Sequence, residues 1–225
     1  MNTFLTAFVF AFGAVVLAEM GDKTQLLAMA FATKFKASKV MMGVFIATIL
    51  NHALAVAVGH FITRFESINL IIQAFASLSF IFFGLWTIRG DKLEGEENRT
   101  TRFGAVITVA VAFFIAEMGD KTQLATIALA TKFPASPIAI LTGTTIGMLA
   151  ADGFGIVVGH VLKKKIPEQK IKMFSAGIFI FFGLLGTYEV ITNDLGFKLI
   201  YTIAIMMLII ISTGISGYLL MKKAK

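Results

Sequence analysis

The chain has 225 residues, 57% hydrophobic and 15% charged, with a mean hydropathy of +0.86 and a net charge of +7. That is too apolar for a soluble domain of this size. The basic residues fall between apolar runs, so nucleic-acid binding is excluded as the meaning of the positive charge. There is no cysteine, which excludes disulfides and thiolate metal sites and leaves oxygen-ligand chemistry open.

Apolar runs at 4–33, 40–63, 68–88, 103–131, 138–162, 173–191 and 196–221 predict seven membrane spans, since about 20 apolar residues cross a ~30 Å hydrocarbon core as a helix. The first run lacks a basic leader and a small-residue cleavage site, so it is read as mature structure rather than as a signal peptide. The first and fourth runs are too long, because at ~1.5 Å per residue each would reach ~45 Å as a straight helix. Each therefore tilts strongly or breaks. Glu19 and Glu117 lie near the middle of these runs, and Gly21 and Gly119 follow two residues later. A break there would resemble the interrupted helices with which transporters bind ions near the midplane.

The same two runs carry one motif twice. Ala18-Glu19-Met20-Gly21-Asp22-Lys23-Thr24-Gln25-Leu26 recurs letter for letter as Ala116-Glu117-Met118-Gly119-Asp120-Lys121-Thr122-Gln123-Leu124, and 16 of the 21 positions from Ala18 and from Ala116 onward are identical. Such an offset marks an internal duplication. It extends to Gly59-His60 and Gly159-His160, and to the Phe-Ile-Phe-Phe-Gly-Leu runs that begin at Phe80 and Phe179. The repeated unit is three spans, and an odd-numbered unit repeated in one chain must invert. The expected organisation is a first three-helix repeat (1–89), a cytoplasmic linker (90–102), a second, inverted three-helix repeat (103–194), and an additional seventh helix with a basic tail (195–225). With the N-terminus outside and the C-terminus inside, 15 lysines and arginines fall in inner loops, including Lys163, Lys164 and Lys165, against three in outer loops. That is a strong positive-inside bias.

Ionisable groups at membrane depth are expensive and mark function by default. On a continuous helix Glu19, Asp22 and Gln25 would lie three apart on one side, with Lys23 on the adjacent flank, and Glu117, Asp120, Gln123 and Lys121 would repeat that arrangement. If the two spans meet, four carboxylates and two amides converge, a donor set suited to Mn²⁺, Ca²⁺ or Mg²⁺. Four carboxylates and two lysines sum to −2, which one divalent cation would neutralise. Without it, protons should bind instead, so cation and protons compete for Glu19, Asp22, Glu117 and Asp120. A single copy could be no more than a Glu–Lys i,i+4 pair that neutralises itself; two inverted copies argue for a site. Lys23 and Lys121 orient the acids or snorkel. Thr24 and Thr122 ligate, or satisfy backbone carbonyls near the break, the second being favoured. Asn51 and His52 in span two and Asp152 in span five sit at corresponding depth under a local offset of 100. Asp152 lines the pathway or relays protons, or only packs. His60 and His160, near helix ends, read as structural. Gln73 and Ser77 face a pathway or pack. Gly43, Gly143, Gly147 and the Phe-Phe-Gly runs read as helix-packing surfaces.

The duplicated Glu-x-Gly-Asp-Lys-Thr motif, in two three-helix halves, resembles the signature of the second calcium:cation antiporter family, which includes bacterial manganese exporters and Golgi manganese/calcium:proton antiporters. The resemblance implies an all-α polytopic transporter that exports Mn²⁺, or Ca²⁺, in exchange for protons. It implies no cofactor, and the bilayer, the cation and protons as the partners. Glu19, Asp22, Glu117 and Asp120 match the family's acidic positions. The seventh helix departs from the six-helix pattern and leaves the oligomeric state open. The short linker favours a prokaryotic cytoplasmic membrane. The competing chemistry is an intramembrane metal-dependent hydrolase of a lipid phosphate, which would also place acids at broken helices.

Overall fold

The computed structural model describes residues 3–64, 69–89, 104–161 and 168–223. The expected linker 90–102 and the lysines Lys163 to Lys165 lie outside the described residues. Among the described residues every regular element is helical: α1 (Thr3–Glu19), α2 (Lys23–Lys34), α3 (Ala37–Ile62), α4 (Asn69–Arg89), α5 (Ala105–Glu117), α6 (Lys121–Lys132), α7 (Pro137–Gly155), α8 (Glu168–Glu189) and α9 (Leu199–Lys223). Helices α7 and α8 run on into π-helical turns at Ile156–Val161 and Val190–Asp194, which no sequence pattern announced. Among the described residues five helices are individually long and apolar enough to cross a membrane, or six if the bent pair α1–α2 counts as one span, against the seven expected; α5, with 13 residues, is too short by itself. The chain is an integral membrane protein.

Both long runs break. Between α1 and α2 the chain turns by 71°. Gly21 at φ 78° and Gly119 at φ 77° are left-handed, a conformation that costs an L side chain roughly 1–2 kcal/mol, so the glycine of the motif is required by the turn. Asp22 and Asp120 follow at the N-cap positions of α2 and α6 with extended backbone, yet neither side chain makes a capping hydrogen bond. An aspartate there ordinarily accepts from the first free N–H groups. Both carboxylates are left for other partners.

The most extensive helix packing is between α4 and α8, α1 and α7, and α3 and α5. Small residues set the approach, as the sequence suggested. A Cβ on Gly43 would lie 2.6 Å from Val109 Cβ, and one on Gly143 2.7 Å from the Phe8 carbonyl. In the Phe-Phe-Gly runs, Gly84 and Gly183 bring α4 and α8 together, with a Cβ on either 2.6 Å from an isoleucine side chain, Ile180 or Ile81. Two apolar clusters form. One is built on Phe31, Phe113 and Met148 around α2 and α5. The other is built on Phe80, Leu129 and Ile140 around α6 and the first half of α1. The polar motifs lie at the chain breaks that join these two regions. Helix α9 packs mainly on α4 and keeps an apolar surface that includes Ile200 and Leu208 exposed, as a lipid-facing helix does.

Candidate cation site

Each break leaves a helix C-terminus and a helix N-terminus facing the same spot. The N-terminal ends of α2 and α6 carry partial positive charge and unsatisfied N–H groups, a favourable setting for acids. Glu19 ends α1 and Glu117 ends α5. Both are buried, as are Asp22 and Asp120. Carboxylate oxygens of Glu19, Glu117 and Asp120 come within 4.8 Å of one another. Three acids from two distant stretches of sequence thus converge at one point, where four carboxylates and two amides were expected; Asp22 is not among the three.

The charges pair across the two motifs. Lys121 Nζ lies 2.5 Å from Asp22 Oδ1, with both side chains buried, and Lys23 Nζ lies 3.7 Å from Asp120 Oδ1. Both of these pairs run from one motif to the other, whereas a continuous helix would have set each lysine beside its own glutamate four residues earlier. The break at residues 20–22 removes the helical register on which that placement depended. Two ion pairs thus tie the start of α2 to the start of α6.

The threonines also differ from expectation. Thr24 Oγ1 donates to Glu19 Oε2 at 2.5 Å, and Thr122 Oγ1 donates to Glu19 Oε1. Among the described residues both hydroxyls serve one glutamate rather than a backbone carbonyl. Glu117 has no hydrogen-bond partner on either oxygen among the described residues. The glutamines hold the breaks. Gln25 Oε1 accepts from the Gly21 N–H at 2.9 Å and Gln123 Oε1 from the Gly119 N–H at 2.7 Å. Their amide nitrogens reach across to the next span. Gln25 Nε2 donates to the Ala151 carbonyl at 2.6 Å, and Gln123 Nε2 donates to Asn51 Oδ1 at 3.4 Å. Asn51 in turn donates to the Phe114 carbonyl at 3.2 Å. Asn51 thus supports the second break from α3.

Asp152 on α7 is buried, with neither oxygen hydrogen-bonded among the described residues, and it lies within electrostatic range of Glu19, Asp22 and Glu117. His52 on α3, at the matching position, is equally buried and has both ring nitrogens unpartnered among the described residues. Sequence reasoning noted its depth but gave it no role; a lone imidazole in an apolar span, 100 residues before a lone carboxylate, was the available signal. His60 is exposed at the end of α3. Gln73 and Ser77 line a cavity of about 330 Å³ that also touches Phe10, Lys132, Phe182 and Glu189. Lys132 there sits 4.0 Å from Glu189 and 5.8 Å over the Phe10 ring.

This constellation can hold one hard cation among three carboxylates, release it when protons take its place, and keep the two aspartates neutralised meanwhile. Comparison with known proteins points the same way. The chain matches the family described as divalent cation/proton antiporter GDT1 over residues 7–95 and 105–194. It is 37% identical over 171 residues to a protein of Vibrio cholerae named "Putative manganese exporter", covering 76% of this chain and 84% of that one. It is 28% identical over 204 residues to GDT1-like protein 4 of Oryza sativa subsp. indica, covering 79% and 72%. It is 25% identical over 216 residues to the chloroplastic protein PAM71 of Arabidopsis thaliana, covering 83% and 58%. No solved structure matches.

Proposed function

The chain belongs to the GDT1 family of divalent cation/proton antiporters, and on that premise we propose that it exports Mn²⁺, with Ca²⁺ as the second choice, from a prokaryotic cytoplasm in exchange for protons. The proposed frame is two inverted three-helix repeats, residues 1–89 and 103–194, joined by a cytoplasmic linker, with α9 added and the lysine-rich ends inside. The helix pairs α1 with α7 and α3 with α5 are the ones an inverted repeat would bring together. Inverted repeats place the substrate at their interface. A metal-dependent hydrolase is set aside, because the family is one of antiporters and not of enzymes.

The observation that carries the reading is the meeting of Glu19, Glu117 and Asp120 within 4.8 Å. The proposed cargo site is these three carboxylates, with Asp22 neutralised by Lys121 at its edge. Three hard oxygen donors without sulfur suit Mn²⁺ or Ca²⁺. With both aspartates paired to lysines, Glu19 and Glu117 together carry −2, which one divalent cation or two protons would balance. Cation and protons then exclude each other, which is the coupling that antiport needs. Gln25 and Gln123 are proposed to hold the breaks open at the right angle, supported for Gln123 by Asn51.

The test uses purified protein in proteoliposomes with a pH dye inside, and Mn²⁺, Ca²⁺, Mg²⁺ or Zn²⁺ added outside. Proton release from the lumen on adding Mn²⁺ or Ca²⁺, abolished by Glu19→Gln and by Asp120→Asn, is the expected result. Lowering the pH on the cation side should raise KM for the cation, since protons occupy the same carboxylates. Wild-type flux in both variants, or flux indifferent to pH, would remove the acids from the coupling step.

A further inference from the structure

We infer that Asp152 is a way station for the divalent cation on the α2 side of the three-acid cluster, and that it serves the lysine-rich face of the membrane alone. The inference rests on the antiport reading and adds to it a sidedness that the duplicated motif does not contain.

Position comes first. Helix α7 begins at Pro137 and reaches Asp152 fifteen residues later, past most of its length. The neighbouring residue Ala151 receives the Gln25 amide at 2.6 Å, and a Cβ on Gly155 would run into the Gln25 side chain. Asp152 therefore stands beside the first turn of α2. In the proposed topology α2 is the inner half of the first span and leads to Lys34, Lys36 and Lys39. The matching position on α3 is His52, and α3 packs on α6 as α7 packs on α2. The place beside α6, which leads to the opposite face, thus holds an imidazole instead of an acid.

Charge comes second. Asp22 and Asp120 have lysines at 2.5 and 3.7 Å. One divalent cation matches Glu19 and Glu117. Asp152 is a fifth acid that this balance leaves over. It is fully buried, with two oxygens that no described donor satisfies. An ionised carboxylate in that setting needs a positive visitor, because burying it alone is costly. It lies within electrostatic range of Glu19, Asp22 and Glu117, the acids that hold or flank the cation at the centre, yet it is not among the three that come within 4.8 Å of one another. It thus stands beside the cluster without being one of its three converging acids. A series of moderate sites, rather than one deep one, lets an ion both enter and leave. His52 carries no fixed negative charge and would give the other face no such step.

The test is sided Mn²⁺ uptake by the full chain. Everted membrane vesicles present the lysine-rich face to the medium, and right-side-out vesicles present the other. A buried acid of this kind concentrates cations and speeds their entry by tenfold or more. Asp152→Asn should therefore raise KM for Mn²⁺ about tenfold from the lysine-rich face, with KM from the other face unchanged. Mn²⁺ binding to the purified variant should persist, and Asp152→Glu should recover most of the lost affinity. Equal KM changes at both faces, or loss of Mn²⁺ binding altogether, would make Asp152 part of the central site or of the scaffold and overturn the inference. So would unchanged KM at both faces while wild-type antiport proceeds. Absence of Mn²⁺/proton exchange in the wild type would overturn the antiport reading, and this inference with it.

Discussion

Glu19 and Glu117 occupy the same place in two identical nine-residue motifs, yet their surroundings differ. Glu19 accepts two threonine hydroxyls, one from each motif; Glu117 accepts none among the described residues. The first break is packed, with Gly21 buried, whereas Met118 at the second is 55% exposed. Lys121 is buried against Asp22, and Lys23 stays 17% exposed at a longer distance from Asp120. Identical residues therefore do not have fixed roles here. The packing around each motif decides which acid is held and which is left bare. In the proposed inverted-repeat frame the opposite-facing state would arise when the two halves exchange surroundings, and the present contrast would then be one half of a cycle.

The largest effects should come from the glutamates. Glu19→Gln and Glu117→Gln both remove a proposed cargo ligand, and since even supporting groups of metal sites cost about 10–100-fold, each should reduce Mn²⁺ transport by at least that much. Their stabilities should part company. Glu117 is a buried acid without a hydrogen-bond partner among the described residues, so neutralising it removes a desolvation cost and should raise the melting temperature of the detergent-solubilised protein. Glu19 is satisfied by two donors, and hydrogen bonds to a charged group are worth about 1.5–3 kcal/mol each, so Glu19→Gln should lower it. Equal melting shifts in the two variants would erase the contrast between the sites.

The lysines should give the next largest difference. Breaking a buried ion pair by removing one partner costs about 3–5 kcal/mol, because a bare charge is left behind. Lys121→Gln should do this to Asp22 and lower the unfolding midpoint by several degrees. Lys23→Gln acts on a longer pair that is open to its surroundings on the lysine side, where an ion pair is worth about 1 kcal/mol or less. Thermal unfolding of the two variants side by side measures the difference. A double replacement of Lys121 and Asp22 that regains stability would identify the bare charge as the cause.

Much of this was legible in the sequence because it depended on composition, length and repetition. Runs too long to span the membrane as upright helices, each with a mid-run glycine, left a strong tilt or a break as the alternatives, and the chain breaks at Gly21 and Gly119. Gly43, Gly143, Gly84 and Gly183 foretold close helix contacts, and the duplicated acids pointed to a meeting of the two motifs, where three of the four expected carboxylates come together. What was not legible depended on orientation after the break. Helical spacing put Lys23 beside Glu19, but no helix joins them, and the lysine crosses to the other motif. Asp22 and Asp120 look like N-caps and do not cap. Thr24 and Thr122 read as ligands or, by preference, as partners of backbone carbonyls, whereas both donate to Glu19. The asymmetry between the motifs could not be read at all, since the two sequences are the same.

The smallest effect, and the one that probes the comparison most finely, concerns those threonines. Valine has nearly the shape of threonine, so Thr24→Val or Thr122→Val removes a donor with little change in packing. A hydroxyl that donates to a carboxylate favours its ionised form, the form that a cation needs. Each variant should lose about 1–2 kcal/mol of that support, and Mn²⁺ should bind roughly 5–30-fold more weakly. If the halves exchange surroundings during the cycle, the pair now on Glu19 passes to Glu117 in the opposite-facing state. The loss in affinity should then appear from both faces of the membrane and by similar factors, unlike the one-sided effect expected at Asp152. Weakening from one face only would mean that the threonines belong to Glu19 throughout, and that the difference between the two motifs is a permanent feature of the fold rather than a property of one state.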